Sequence, residues 1–204
     1  MVKKMNPLIV QQKLLESNVA IFSPREFQRI FSTSPLAVSK FIGRYTQKKF
    51  FLKLKNGLYC LASIKPSVFV VANKIYQPSY ISLESALSFY NIIPEKTYSI
   101  TSISSKATRS FMAMDQDFSY NKIKKKLFTG YCLIEKNNEK FLIAEPEKAL
   151  MDYLYYLSRK KTELNDRLDV SHLIKKKIRQ WQKLFNDSQI DNLVSKLYDD
   201  ARAN

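Results

Sequence analysis

Apolar positions in the first 50 residues fall into three short runs at helical spacing, each opened by a polar residue and a proline. Asn6-Pro7 precedes Leu8, Ile9, Leu14 and Leu15, which predicts a helix over residues 6–17 capped by Asn6. Ser23-Pro24 precedes Phe27, Ile30 and Phe31, and Glu26 stands three residues after Ser23, the spacing of a capping box. After the polar turn Ser32-Thr33-Ser34, Pro35 opens a third helix with Val38, Phe41, Ile42 and Tyr45 on one side. Phe50–Ala62 then turns β-rich about Asn56-Gly57, a two-residue hairpin signal. A two-residue turn predicts Leu52, Leu54, Tyr59 and Leu61 on one face and Phe51, Lys53, Lys55 and Cys60 on the other. Short helix, tight turn, longer helix and basic hairpin together predict a winged helix-turn-helix over residues 1–64.

Beyond it the pattern changes. Lys65-Pro66-Ser67 and Gln77-Pro78 bracket a junction, residues 65–79, in which Val68–Ile75 reads as a short buried helix. No Gly/Ser-rich tether separates the parts, so two packed lobes are expected. In residues 80–204, Ser82 opens a helix with Leu83, Ala86, Leu87 and Tyr90 inward. Residues 97–103, 110–114, 128–134 and 140–143 are β-rich and predict a small, mostly antiparallel sheet. Glu145-Pro146-Glu147 opens a helix with Ala149, Leu150, Tyr153, Leu154 and Leu157 inward, and two flanking helices are expected near Asp166–Trp181 and from Asp187. The fold class is therefore α+β.

Charge sharpens this picture. The 204 residues hold 34 Lys/Arg against 18 Asp/Glu, a formal charge of +16, and residues 1–65 alone hold 12 against 2. A basic first lobe joined to a nearly balanced second one points to a polyanion-binding module with something else attached. Opposite its apolar stripe the third helix carries Leu36, Lys40, Gly43, Arg44 and Gln47, with Ala37 nearby. Cations, an amide and small apolar groups suit the acceptors and thymine methyls of a major groove. Ser32, Thr33 and Ser34 stand where hydroxyls and helix N-terminal amides meet phosphate, and Lys53 and Lys55 fall where a wing follows the neighbouring backbone. The predicted partner is double-stranded DNA. Further basic clusters, Lys122/Lys124/Lys125/Lys126 and Lys175/Lys176/Lys177/Arg179, read as solvated faces, as an extension of the phosphate footprint or as a surface that holds an RNA.

Other chemistry is poorly supplied. With three glycines no dinucleotide-binding or Walker loop is possible, and one histidine with two distant cysteines makes no zinc finger or redox pair. No cofactor or metal is expected, and no catalytic residue is assigned. The alternative is a metal-dependent nuclease or an RNA-binding protein using the same basic lobe. For the nuclease, Asp115, Asp117, Glu145, Glu147 and Lys148 supply carboxylates and a lysine, although Pro146 signals a helix start there. Glu84, Glu145 and Glu147 suit helix first turns, and His172, with Asp169 nearby, suits a helix surface. The N-terminal apolar run is too short for a signal segment and no stretch is long enough to span a bilayer, so a cytoplasmic location without membrane partners is expected.

Three stretches resemble a known family: Tyr80-Ile-Ser-Leu-Glu-Ser-Ala-Leu-Ser-Phe-Tyr-Asn-Ile-Ile-Pro-Glu95, Phe118-Ser-Tyr120 with Phe128-Thr-Gly-Tyr131, and Ile143-Ala-Glu-Pro-Glu-Lys-Ala-Leu-Met-Asp-Tyr-Leu-Tyr155. They look like the AbiEi-type antitoxins of bacterial abortive-infection, or type IV toxin-antitoxin, systems, and the resemblance covers roughly residues 5–155. It implies a winged helix that binds inverted repeats in its own promoter and represses the operon. It also implies a C-terminal domain that counteracts a nucleotidyltransferase-like toxin, typically without a stable complex. Residues 5–62 would then read operator DNA, and residues 80–200 would neutralise the toxin or assist cooperative binding.

Overall fold

A computed structural model describes the backbone of residues 5–203 and the side chains of residues 5–199. The basic pair Lys3-Lys4 lies outside them. Three helices, α1 (Pro7–Glu16), α2 (Pro24–Phe31) and α3 (Pro35–Gln47), begin where the cap signals place them. The Asn6 carboxamide oxygen accepts the Leu8 N–H at 2.9 Å. Ser23 Oγ accepts the Glu26 N–H at 3.3 Å while Glu26 Oε2 accepts the Ser23 N–H at 2.7 Å, a reciprocal box that satisfies two otherwise orphaned donors. Ser34 Oγ accepts the Ala37 N–H at 3.3 Å.

The hairpin strands β2 (Phe51–Lys55) and β3 (Leu58–Leu61) pair antiparallel, and a short strand ahead of α2, β1 (Ile21–Phe22), joins the outer side of β3. The faces of this small sheet differ from those predicted. A bulge between Lys53 and Lys55 shifts the register by one, pairing Lys53 with Tyr59 and Phe51 with Leu61. A one-residue slip exchanges the faces. Phe51, Tyr59 and Leu61 therefore join Phe22, Phe27, Val38, Phe41 and Ile42 in a core beneath the helices, whereas Leu52, Leu54, Leu58 and Cys60 face the second lobe. The sheet is a septum with a hydrophobic core on each side.

The second lobe enlarges the small, mostly antiparallel sheet expected for it: three of five strand pairings are antiparallel and two are parallel. Its strands are β4 (Ser79–Ile81), β5 (Ser99–Ser104), β6 (Arg109–Ala113), β7 (Gln116–Lys122), β8 (Tyr131–Lys136) and β9 (Glu139–Ala144). They form one six-stranded mixed sheet in the order β6-β7-β5-β4-β9-β8, with β5–β7 and β4–β9 parallel. The helix α4 (Val68–Ile75) covers one face: Tyr120 Oη donates to Ala72 O at 2.6 Å and Phe69 packs on Phe141. Helices α5 (Leu83–Phe89) and α6 (Pro146–Leu157) lie on the other face, where Tyr80 meets α6. Last come α7 (Lys175–Phe185) and α8 (Ser188–Ala203), both against α6. The helix expected over Asp166–Trp181 begins only at Lys175, because residues 166–174 turn repeatedly, and His172 stands exposed in a turn 3.8 Å from Asp169 rather than on a helix. Ile75, Val71, Leu54 and Leu58 lie in one continuous core that joins the lobes. Among the described residues no helix is long and apolar enough to cross a membrane.

Candidate nucleic-acid interface

Helix α3 buries Val38, Phe41 and Ile42 and leaves its opposite side open. At 100° per residue Leu36, Lys40, Gly43, Arg44 and Gln47 fall within an arc of about 100°. All five are exposed, Leu36 at 65% despite its apolar side chain, and Ala37 lies half-buried at the edge of the arc. Among the described residues no carboxylate lies within 4.0 Å of Lys40 or Arg44. A Cβ built on Gly43 meets nothing within 4 Å, so no internal packing requires glycine there.

Ser32, with φ of 45°, ends α2 in the left-handed conformation and turns the chain into α3. Ser32 and Ser34 are exposed and Thr33 is half-buried beside them. Arg25, Gln28 and Arg29 of α2 line one concavity with Ser32 and Thr33. Sequence reasoning missed these three, although Arg25, Gln28, Arg29 and Ser32 share one helix face by their spacing alone. An adjoining groove of about 430 Å³ runs between α2 and α3, with Arg25, Gln28, Ser39, Gly43 and Tyr59 in its walls. On the hairpin Lys53 is exposed on the same face of the sheet as α3. Lys55 is half-buried, its ammonium 5.9 Å from the centre of the Phe111 ring in the second lobe. The site residues thus divide into a tight arc on α3, a turn ahead of it, and a hairpin flank shared with the other lobe.

The carboxylates of the nuclease alternative do not converge. Asp115 and Asp117 belong to the β6–β7 hairpin, while Glu145 and Glu147 follow β9, three strands away and about 14 Å at ordinary strand spacing. Glu147 Oε1 instead accepts the Ile174 N–H at 3.1 Å, and Lys177 lies 3.2 Å from Glu145 and 3.6 Å from Glu147. That hydrogen bond to Glu145, with the Glu147 charge, raises the Lys177 pKa. Glu84 accepts a hydrogen bond from Thr162 at 2.9 Å. Among the described residues no group of three or more His, Cys, Asp or Glu is placed to hold a metal ion.

A second polar cluster is sealed from solvent. Lys148 and Asp152, both wholly buried, form an ion pair one turn apart on α6. Lys148 Nζ also donates to Tyr80 Oη at 2.9 Å, and Asp152 Oδ2 accepts from Tyr80 Oη at 3.0 Å and Ser82 Oγ at 2.8 Å. Burial pushes the Lys148 pKa down and the Asp152 pKa up, and each partner opposes the shift of the other. The same burial, then the Asp152 charge, holds Tyr80 well above the ordinary phenol range. Trp181 and Phe185 of α7 roof the ammonium at 5.7 and 5.3 Å. No protein-family model matches the chain, and no curated protein sequence is similar to it.

Proposed function

We propose that the protein is a DNA-binding transcriptional regulator whose N-terminal lobe works as a winged helix-turn-helix. In this reading α3 enters the major groove, with Lys40, Arg44 and Gln47 at base edges and Leu36 and Ala37 beside thymine methyls. Ser32, Thr33 and Ser34 hold phosphates at the start of α3, and Lys53 tracks the backbone from the hairpin. The observation that carries this is the α3 arc: five exposed positions, two of them cations without a carboxylate partner, directly opposite the buried stripe. Gly43 supports it, since a mid-helix glycine is costly and an approaching groove wall would supply a reason for it.

With the family resemblance, which covers roughly residues 5–155, the regulator acts as an autorepressor and antitoxin. It occupies inverted repeats in its own promoter, and its second lobe counteracts a nucleotidyltransferase-like toxin. A duplex from immediately upstream of the reading frame and a shuffled one, titrated at matched salt, test the DNA reading. Preference for the upstream duplex of about 10³-fold or more is expected, and equal affinities overturn it.

A further inference from the structure

The hairpin does not end in solvent. Strand β2 packs against β6, the outermost strand of the six-stranded sheet, and Lys53, Lys55, Phe111 and Met112 line one cleft between them. From there a chain of contacts runs onto the second lobe. Lys55 sits over Phe111, Phe111 packs on Tyr76 at 5.8 Å, and Lys106 sits over Tyr76 at 5.9 Å. Tyr76 Oη donates to Ala107 O at 2.9 Å, holding the loop ahead of β6 in place. Arg109 opens β6, opposite Tyr120, and is exposed, as is Lys106.

Among the described residues none of Lys53, Lys55, Lys106 and Arg109 has a carboxylate within 4.0 Å. A minority of the cations on this lobe are paired, among them Lys140 with Glu135, Arg159 with Asp187 and Arg167 with Glu95. The nearest acid along the strand pair, Asp117, stands opposite Met112 and so on the other face from Arg109 and Phe111. As an edge strand, β6 also leaves alternate N–H groups unpaired by the sheet, and backbone N–H groups are ordinary phosphate donors.

We propose that this edge of the second lobe, built from Lys55, Lys106 and Arg109, is a second contact surface for the phosphate backbone of the duplex that α3 reads. The proposal rests on the DNA-binding reading and extends it to residues outside the N-terminal lobe. Duplex backbone is favoured over single strands because Tyr76 and Phe111 are half-buried against each other beneath the lysines and offer no open ring for a base to stack on.

The test measures the affinity of the full chain for the upstream duplex as salt rises from about 50 to about 200 mM, with shuffled duplex and single-stranded RNA in parallel. Removing two phosphate contacts with K106A/R109A is expected to lower the slope of log affinity against log salt by about 1.8. The salt-driven loss over that range then shrinks roughly tenfold, and the preference for upstream over shuffled duplex survives. Lys106→Arg, which keeps charge and stacking, is expected to behave as wild type. Lys140→Ala, which removes an ion-paired lysine from β9, four strands away from β6, is expected to leave the slope unchanged. An unaltered slope in K106A/R109A, an equal fall in Lys140→Ala, or an effect confined to RNA overturns the second surface. If wild type shows no affinity for duplex at all, the DNA-binding reading fails with it. Thermal melts of each variant separate lost contacts from lost folding.

Discussion

Single residues carry distinct burdens in the two lobes. Lys148 and Asp152 place opposite charges where no water reaches, so each depends on the other and on Tyr80 and Ser82. Asp152→Leu leaves an unpaired buried ammonium and is expected to cost about 3–5 kcal/mol in urea unfolding, with K148M/D152L recovering most of it. A loss below about 1 kcal/mol in Asp152→Leu would show that the pair contributes little. The cysteines differ as sharply. Cys60 is buried in the septum, which pushes its thiol up to about 11, while Cys132 is exposed. One thiol per native chain is expected to react with a maleimide at neutral pH and two after denaturation. Because folding raises the Cys60 pKa from its ordinary 9.0, the native state holds that proton more tightly, and stability falls as pH rises from 9.0 towards about 11. Cys60→Ser is expected to flatten that part of a melting-temperature profile against pH.

At the scale of elements, the helices of the first lobe were legible because their caps are local. Asn6, Ser23 with Glu26, and Ser34 each accept from a backbone N–H two or three residues on, and proline follows each of them. The hairpin was legible as a hairpin but not in register, since the bulge at Leu54 depends on two cores competing for one strand. In the second lobe β4 has three residues, all buried, so no alternation marks it, and residues 116–122 bury only Phe118 and Tyr120 among polar neighbours, a weak strand signal. The polar arc of α3 was legible, whereas the packing of Lys55 on Phe111 joins residues 56 positions apart and leaves no local trace. Gly43 offers a test confined to one element. Gly43→Ala is expected to raise stability by about 0.8–1.0 kcal/mol, because Ala is the better helix former and nothing crowds its Cβ, and to weaken binding to the upstream duplex. A gain in stability with binding unchanged would mean that α3 makes no close approach at that position.

Across the whole molecule the septum sheet ties the lobes through a shared hydrophobic core. Its far face gives Leu54, Leu58 and Cys60 to the larger core, so residues 1–64 alone would expose that face to water. The full chain is expected to melt in a single transition, and a 1–64 fragment to be less stable or to associate; two resolved transitions in calorimetry would contradict this. The packing of Lys55 on Phe111 holds the hairpin against the β6 edge, the arrangement on which the proposed second surface relies. In the proposed reading the surplus of positive charge concentrated in residues 1–65 supplies attraction to any polyanion, and specificity is assigned to α3. The central claim is therefore tested most directly by the binding of Arg44→Ala to the upstream duplex and to a shuffled one at a single salt concentration. A loss of about 1–3 kcal/mol on the upstream duplex with little change on the shuffled one is predicted, and equal losses on both would contradict base reading by α3.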